Sequence, residues 1–302
     1  MRTATDPAVP FHRYAPDRPV ARGRTNPRDH ELFKRYPLDG EATLSIGTVP
    51  TPYHVYGGYG VFIGGTADLN SVRALLQPEG VAPVLTDEGR ALMGVWVFDF
   101  TDASLGPHHE LQVSIFVTDD ELAPVDANRL SLLQLLATRP DVRMLCHGLW
   151  NNTPRVVAYN RELLALDARI SDSTIARDPR AFRFSIDDRN TGAPVVEGCV
   201  RDPQRPSLMA NLALLSRLGL RRVREFTRQP WIKVPVLNPV GPVLDRNAAA
   251  DSFTKTDVSV LRYFDPTRDH VTFRDDRYAH LGFEPQFVQF MDGFKFVYLF
   301  PQ

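Results

Sequence analysis

Apolar residues along most of this 302-residue chain recur at about every second position. Residues 94–100 and 111–117 are two examples. Successive side chains of a β-strand point to opposite faces of a sheet, so a period of two favours strands over helices. Residues 231–236, 258–263 and 294–300 are further strand candidates, because they are rich in β-branched and aromatic residues. The chain is therefore predicted to be rich in β-sheet.

A hairpin is predicted around residue 190. Phe182, Phe184 and Ile186 alternate with polar residues, and the turn-forming stretch 187–192 separates them from Val195 and Val196. Such a stretch between two alternating runs is typical of two adjacent antiparallel strands.

Helical signals are fewer. Segments 69–76, 128–138 and 207–218 each have a start and a stop signal, and leucines of the second recur at helical spacing, as expected for a face that packs on a core. No repeat of 20 to 50 residues is present. Many strands with a few helices predict an α+β fold of mainly antiparallel β-sheet, a barrel or sandwich with peripheral helices.

Residues 1–45 form a distinct segment. They are rich in Arg and Pro and contain few apolar residues, so they are expected to form a flexible or inter-subunit arm. Residues 46–302 are expected to form a single domain.

Composition excludes several partners. A formal net charge of -1 and a pI near 6.7 give no electrostatic basis for binding nucleic acid or an anionic membrane. The N-terminus has no apolar signal region, and no run of about 18 apolar residues occurs, so a cytoplasmic protein is expected. Cys146 and Cys199 lack metal-site spacing and are expected to be buried thiols.

Residues 108–110 carry the clearest catalytic signal. The sequence His-His-Glu stands where a strand enters an apolar run. A carboxylate next to an apolar wall has a raised pKa, which suits general acid or base chemistry. Alternation sends His108 and Glu110 to one face and His109 to the other.

Other chemistry lacks a motif. The glycines at 57–65 fit neither phosphate-binding pattern and are expected to allow close backbone approach. The histidines have no metal-ligand spacing, the chain has no GxSxG, and Cys146 and His147 should face opposite ways. No metal and no cofactor are expected.

Three motifs, spread over about residues 50 to 190, resemble the acetoacetate decarboxylase superfamily. Residues 53–76, which begin Tyr-His-Val-Tyr and continue through Asp68 to a predicted helix, resemble its opening strand and helix. Residues 104–110 resemble its Gly-x-Tyr-x-Glu element, whose glutamate lies in the active site. Residues 153–159 resemble its Tyr-Pro-Lys-Lys-Leu-Gly-Tyr element. The resemblance implies an antiparallel barrel around an apolar pocket, and usually a homo-oligomer.

The chain departs from that family at the reactive lysine. Arg155 stands where the family's decarboxylases have the lysine that forms an imine, and Val156 replaces its lysine neighbour. A guanidinium stays protonated and cannot attack a carbonyl. The family's pocket arginine and second glutamate are also replaced, at about Gly58 and Val95, which leaves Glu110 as the matching acid-base residue.

These observations predict a lyase or cyclase of biosynthetic metabolism that acts on a β-keto or polyketide-like molecule by dehydration, isomerisation or cyclisation. Glu110 would move the proton, with Arg155 and His108 as the other catalytic groups. Substrate-binding positions are expected at the following residues: Tyr53, Tyr56, Trp96, His147 and Asn152.

Two alternatives stay open. In the first, a displaced lysine, Lys233 or Lys295, supports decarboxylation through an imine. In the second, the barrel binds a small apolar ligand without catalysis.

Overall fold

The computed structural model describes residues 26–241 and 243–301. The strands of this part are β1 (Gly40–Leu44), β2 (Gly47–Thr51), β3 (Tyr53–Ala67), β4 (Ala82–Pro83), β5 (Ala91–Ala103), β6 (His108–Thr118), β7 (Arg143–Asn151), β8 (Ala168–Arg177), β9 (Ala181–Asp188), β10 (Ala193–Arg201), β11 (Ile232–Leu237), β12 (Ala249–Lys255), β13 (Val258–Tyr263), β14 (His270–Phe273), β15 (Glu284–Asp292) and β16 (Lys295–Tyr298). The helices are α1 (Glu31–Arg35), α2 (Leu69–Leu76), α3 (Ser131–Thr138), α4 (Pro154–Glu162), α5 (Leu208–Arg228) and α6 (Asp276–Ala279).

Except for the β1–β2 hairpin, the strands form one 14-stranded sheet. Seven of them are paired in a cycle: β7 with β11, then β12, β16, β3, β5, β6 and again β7. From β7 the sheet also continues through β8, β9 and β10 to β14, so the sheet as a whole is not a closed barrel. The two parallel pairings are β7 with β11 and β7 with β8. The prediction of mainly antiparallel sheet is confirmed. The predicted antiparallel barrel differs from the structure in two ways: the sheet continues beyond the cycle, and two of its pairings are parallel.

All seven strands of the cycle contribute to one core on its inner face. Alternation sends every second side chain of β5 there, and Phe98 and Phe100 stack with ring centroids 5.3 Å apart. We define the inner cluster as the following residues of this face and of α4: Tyr53, Trp96, Phe98, Phe100, His108, Glu110, Cys146, Asn151, Tyr159, Phe296 and Tyr298.

Two glycines make room for these rings. A Cβ on Gly60 of β3 would lie 2.6 Å from the ring of Phe98, and one on Gly94 of β5 would collide with the ring of Phe62. Any side chain at these positions would push an aromatic ring out of place. The nearest atom to a Cβ on Gly60 would be the carbonyl oxygen of Val97, so the close backbone approach expected of this glycine-rich stretch is present there.

The outer faces of the cycle are also covered. One outer core joins β3, β5 and β6 to β9, β10, α2 and α6. A second, smaller one lies under α1, where Leu32 and Phe33 are buried against Tyr56, Phe253 and Val297. Helix α1, within the expected arm, thus packs on the sheet, because it carries two large apolar side chains. Residues 1–25 lie outside the described residues.

The predicted elements compare well with the observed ones where local signals are strong. Helix α2 begins after Asp68, whose carboxylate accepts a hydrogen bond from the Ser71 N–H at 2.8 Å. Strands β9 and β10 form the expected hairpin. Gly219, the predicted end of the third helix, has a non-helical backbone (φ 74°, ψ 155°) that separates two helical segments within α5. No helix among the described residues has both the length and the apolar character to cross a membrane.

Candidate functional site

Glu110 lies on the inner face of the cycle, near the start of β6. It is directly opposite Phe98 on β5 and Asn151 on β7. Gln112 follows on the same face, opposite Trp96. His109 points to the other face, where its Nδ1 lies 2.8 Å from the Ser173 hydroxyl. As expected, His108 and Glu110 therefore share one face of β6, and His109 lies on the other.

The environment of Glu110 disfavours ionisation. Burial among apolar rings raises the pKa of its carboxyl to about 7, and a hydrogen bond from the Asn151 side chain opposes this shift. Asn151 Nδ2 donates to Glu110 Oε2 at 3.1 Å. Asn160 of α4 in turn donates to Asn151 Oδ1 at 2.9 Å, which turns the amino group of Asn151 toward the carboxyl. Glu110 is thus a carboxyl that can take up or release a proton near neutral pH.

His108 is part of a fixed hydrogen-bonded pair. Its Nδ1 lies 2.9 Å from the Gly106 carbonyl oxygen, so this nitrogen carries the proton. Its Nε2 then accepts from the Tyr53 hydroxyl at 2.7 Å. Burial lowers the pKa of His108 to about 4, which keeps the ring neutral. Both ring nitrogens of His108, a predicted catalytic residue, are therefore engaged within the protein, and the ring orients Tyr53.

Two further phenols lie near Glu110. Tyr298 of β16 is directly opposite Tyr53 of β3, and burial raises its pKa, as does the Glu110 carboxylate to a smaller extent. Its hydroxyl has no hydrogen-bond partner among the described residues. Burial likewise raises the pKa of Tyr159, and a polar contact with the Tyr53 main chain offsets part of this rise. Both phenols are neutral at physiological pH.

Cys146 and Trp96 complete the inner cluster. Burial raises the pKa of the Cys146 thiol, so it is neutral and a poor nucleophile. Trp96 stacks on Phe62 at 3.9 Å between ring centroids, and its Nε1 has no partner in the described part of the chain. Trp96, a predicted substrate-binding residue, lies on the inner face opposite Gln112.

Arg155 is the first predicted site residue that the structure places elsewhere. It is exposed on the outer side of α4, whereas Val156, Tyr159 and Asn160 face the sheet. The helical period explains this separation, since residues 156, 159 and 160 share one face of the helix. Arg155 therefore does not line the inner cluster.

Three more predicted positions lie outside the inner cluster. Tyr56 points outward and packs under α1 against Phe33, at 4.9 Å between ring centroids. His147 is also on an outer face, with its Nδ1 3.0 Å from the Tyr278 hydroxyl. Asn152 uses its side-chain oxygen to accept the His109 N–H at 2.8 Å, a contact between strand ends. The cause is the alternation of side chains along a strand, since Tyr56, His147 and Asn152 each follow an inward-facing residue.

None of the four lysines belongs to the inner cluster. Lys34 is exposed on α1, and Lys255 contacts the Gln229 carbonyl oxygen. Lys233 is paired with Asp251 at 2.7 Å in an exposed position. Lys295 is buried, but it alternates with the inward-facing Phe296 and pairs with both Asp257 carboxylate oxygens at 2.8 Å. No group of three or more potential metal-ligating side chains occurs in the described ranges.

The predicted site residues leave out, among others, Cys146, Asn151, Asn160 and Tyr298 of the inner cluster or its support. Asn151 could have been preferred over Asn152, because it continues the strand alternation of β7. The other three reach Glu110 through helix packing or pairing between distant strands, for which the sequence carries no local signal.

Comparison with solved structures gives matches over most of the chain. Acetoacetate decarboxylase from Legionella pneumophila is 10% identical, with a TM-score of 0.54 over 83% of this chain and 86% of that chain. A second acetoacetate decarboxylase structure is 14% identical, with a TM-score of 0.50 over 83% and 87%. The enduracididine biosynthesis enzyme MppR is 15% identical, with a TM-score of 0.48 over 83% and 86%. No family model and no curated protein match the sequence.

Proposed function

We propose that this chain, which has the fold of acetoacetate decarboxylase, is an enzyme that moves a proton on a small carbonyl compound without forming an imine. The reaction would be the dehydration, isomerisation or cyclisation of a β-keto or polyketide-like molecule. Glu110 is its acid-base group.

One observation carries this proposal. The Glu110 carboxyl, with a pKa of about 7, lies on the inner face of the strand cycle beside buried aromatic rings and neutral phenols. A proton-transfer group is most effective when its pKa is near the working pH. Glu110 is also partly exposed.

The walls around Glu110 suit a flat, unsaturated substrate. Trp96, Phe98 and Phe100 lie along one strand with nearly parallel rings, at interplanar angles of 27° and 18°. Aromatic faces stack favourably on other flat π-systems. The enol form of a β-keto compound is flat and conjugated, and its formation requires a base at the carbon between the two carbonyl groups.

The inner cluster does not give comparable support to the two alternatives, a decarboxylase with a displaced lysine and a barrel that only binds a ligand. The likeness to acetoacetate decarboxylase favours a keto substrate, but Lys233 and Lys295 are ion-paired away from the inner cluster. A barrel that only binds a ligand does not require a carboxyl titrating near pH 7. Imine-free acid-base chemistry is therefore the reading that the inner cluster supports best.

The test is proton exchange on a panel of β-keto acids, β-keto esters and aryl β-diketones in deuterated buffer, followed by NMR. We expect faster exchange at the carbon between the carbonyls for at least one compound, and a loss of about 100-fold or more in Glu110→Gln. Because the base must be ionised, kcat/KM should rise with pH up to about 7 and then level off. The matched control is Glu88→Gln, which changes an exposed carboxylate.

Two results would contradict the proposal. The first is a panel in which every compound exchanges no faster than in buffer, or in which Glu110→Gln matches the unaltered protein. The second is a borohydride-trapped adduct on Lys233 or Lys295, which would establish the displaced-lysine mechanism instead.

A further inference from the structure

Tyr298 has a hydroxyl that the folded chain leaves unused. The residue is 9% exposed, and no described residue accepts or donates a hydrogen bond at its oxygen. A buried polar group without a partner destabilises a fold, so most such groups are satisfied. An unsatisfied hydroxyl beside a candidate acid-base residue therefore indicates a group that bonds to something other than the protein.

Of the other phenols in the inner cluster, Tyr53 is already bonded. The Tyr53 hydroxyl donates its proton to His108 Nε2 at 2.7 Å. The Tyr159 hydroxyl, like that of Tyr298, is buried without a hydrogen-bond partner among the described residues, but it belongs to helix α4 and lies by the main chain of Tyr53. Tyr298 is thus the phenol with an unbonded hydroxyl that stands on a strand of the cycle.

The position of Tyr298 fits the other end of a substrate held at Glu110. Strand β16 inserts between β3 and β12, which places Tyr298 opposite Tyr53 and Ser252. Glu110 belongs to β6, two strands beyond β3, and its charge still acts on Tyr298. The two groups therefore stand on the inner face of the same cycle, on different strands.

We infer that Tyr298 is the hydrogen-bond donor that binds the substrate carbonyl oxygen and stabilises the enolate formed when Glu110 removes the neighbouring proton. The proton moves from carbon to the Glu110 carboxylate, and the C–H electron pair becomes the enolate. Tyr298 keeps its proton throughout and shortens its hydrogen bond as charge grows on the oxygen. A fixed donor aimed at developing charge is among the strongest contributions to catalysis.

This inference rests on the proposed function, and Tyr298→Phe tests it. The probe is benzoylacetone, an aryl β-diketone whose enolisation can be followed by absorbance. We expect Tyr298→Phe to lower kcat/KM by roughly 100-fold or more, as for other donors to a developing oxyanion. The thermal unfolding midpoint should stay the same or rise, because the variant removes an unsatisfied hydroxyl and keeps the ring.

Tyr53→Phe is the matched comparison, since it removes a phenolic hydroxyl that is bonded to His108. Its unfolding midpoint should fall. A Tyr298→Phe variant within twofold of normal activity, alongside an inactive Glu110→Gln, would overturn the role of Tyr298 and leave the proposed function standing. Normal activity in both variants, or an unaltered chain that acts on neither benzoylacetone nor any other compound of the panel, would contradict the two together. A lowered midpoint in Tyr298→Phe would show that its hydroxyl is structural.

Discussion

At the scale of single residues, the folded state penalises the ionised form of Glu110. The pKa of this carboxyl is about 7, compared with 4.5 for an ordinary glutamate. Below pH 4.5 the carboxyl is protonated in both the folded and the unfolded chain, and the penalty is absent. Between pH 4.5 and 7 only the unfolded chain loses the proton, so this residue lowers stability increasingly, by about 3 kcal/mol above pH 7.

Glu110→Gln should therefore stabilise the protein at high pH. Glutamine is neutral and can still accept the hydrogen bond from Asn151, so at pH 8 the free energy of unfolding should exceed that of the unaltered chain by about 2–3 kcal/mol. The gain should shrink steadily toward pH 5. Urea denaturation at several pH values measures it, with the exposed Glu88→Gln as control. A gain that is independent of pH would contradict the burial of the charge.

At the scale of elements, the two sides of helix α4 differ in function: the inner side carries a residue that supports the site, and the outer side does not. Asn160 orients the Asn151 amide toward Glu110 from the inner side of the helix. Asn160→Ala should release that amide and weaken the bond that favours the ionised carboxyl. The pH at which kcat/KM reaches half its maximum should then rise by about one unit.

Arg155→Ala is the control on the outer side of α4. It should leave both the rate and this pH unchanged, because Arg155 is exposed. A large loss of activity in Arg155→Ala would restore the role that the sequence assigned to this position.

The packing of aromatic rings against glycines of β3 and β5 gives a second prediction about these elements. Gly60→Ala would place a methyl group against the ring of Phe98 and the carbonyl oxygen of Val97. We expect a loss of about 1–3 kcal/mol in the free energy of unfolding, since overpacking displaces rings or backbone. Gly57→Ala is the control, because a Cβ there would meet only Thr101 Oγ1, at 3.9 Å. Equal stability of the two variants, measured in urea, would contradict this packing.

The sequence predicted these elements to different degrees. Strands β5 and β6 and helix α2 carry strong local patterns and were found. Helix α4 was not, because its run Val156-Val157-Ala158-Tyr159 has the composition of a strand. Glu110 was found as the start of a strand, whereas Tyr298 and Asn160 lie beside it through pairing and packing between segments far apart in the chain.

At the scale of the whole molecule, the N-terminal part of the described chain closes one outer face of the sheet. Phe33 is 6% exposed and lies 5.0 Å from the His54 ring, between centroids. Phe33→Ala should lower the free energy of unfolding by about 3 kcal/mol, the usual effect of emptying a buried aromatic site. Lys34→Ala, one position along and exposed, should have little effect. Thermal denaturation distinguishes the two, and similar midpoints would show that α1 is not part of the core.

The order of strands in the cycle has a consequence for how this protein folds. Strand β3 is paired with β16, and β7 with β11, so the enclosure of Glu110 depends on contacts between opposite ends of the sequence. Contacts between such distant segments form slowly, because long stretches of chain must be ordered first. During refolding, helices and local hairpins should therefore appear early, while catalytic competence is acquired only in the last step.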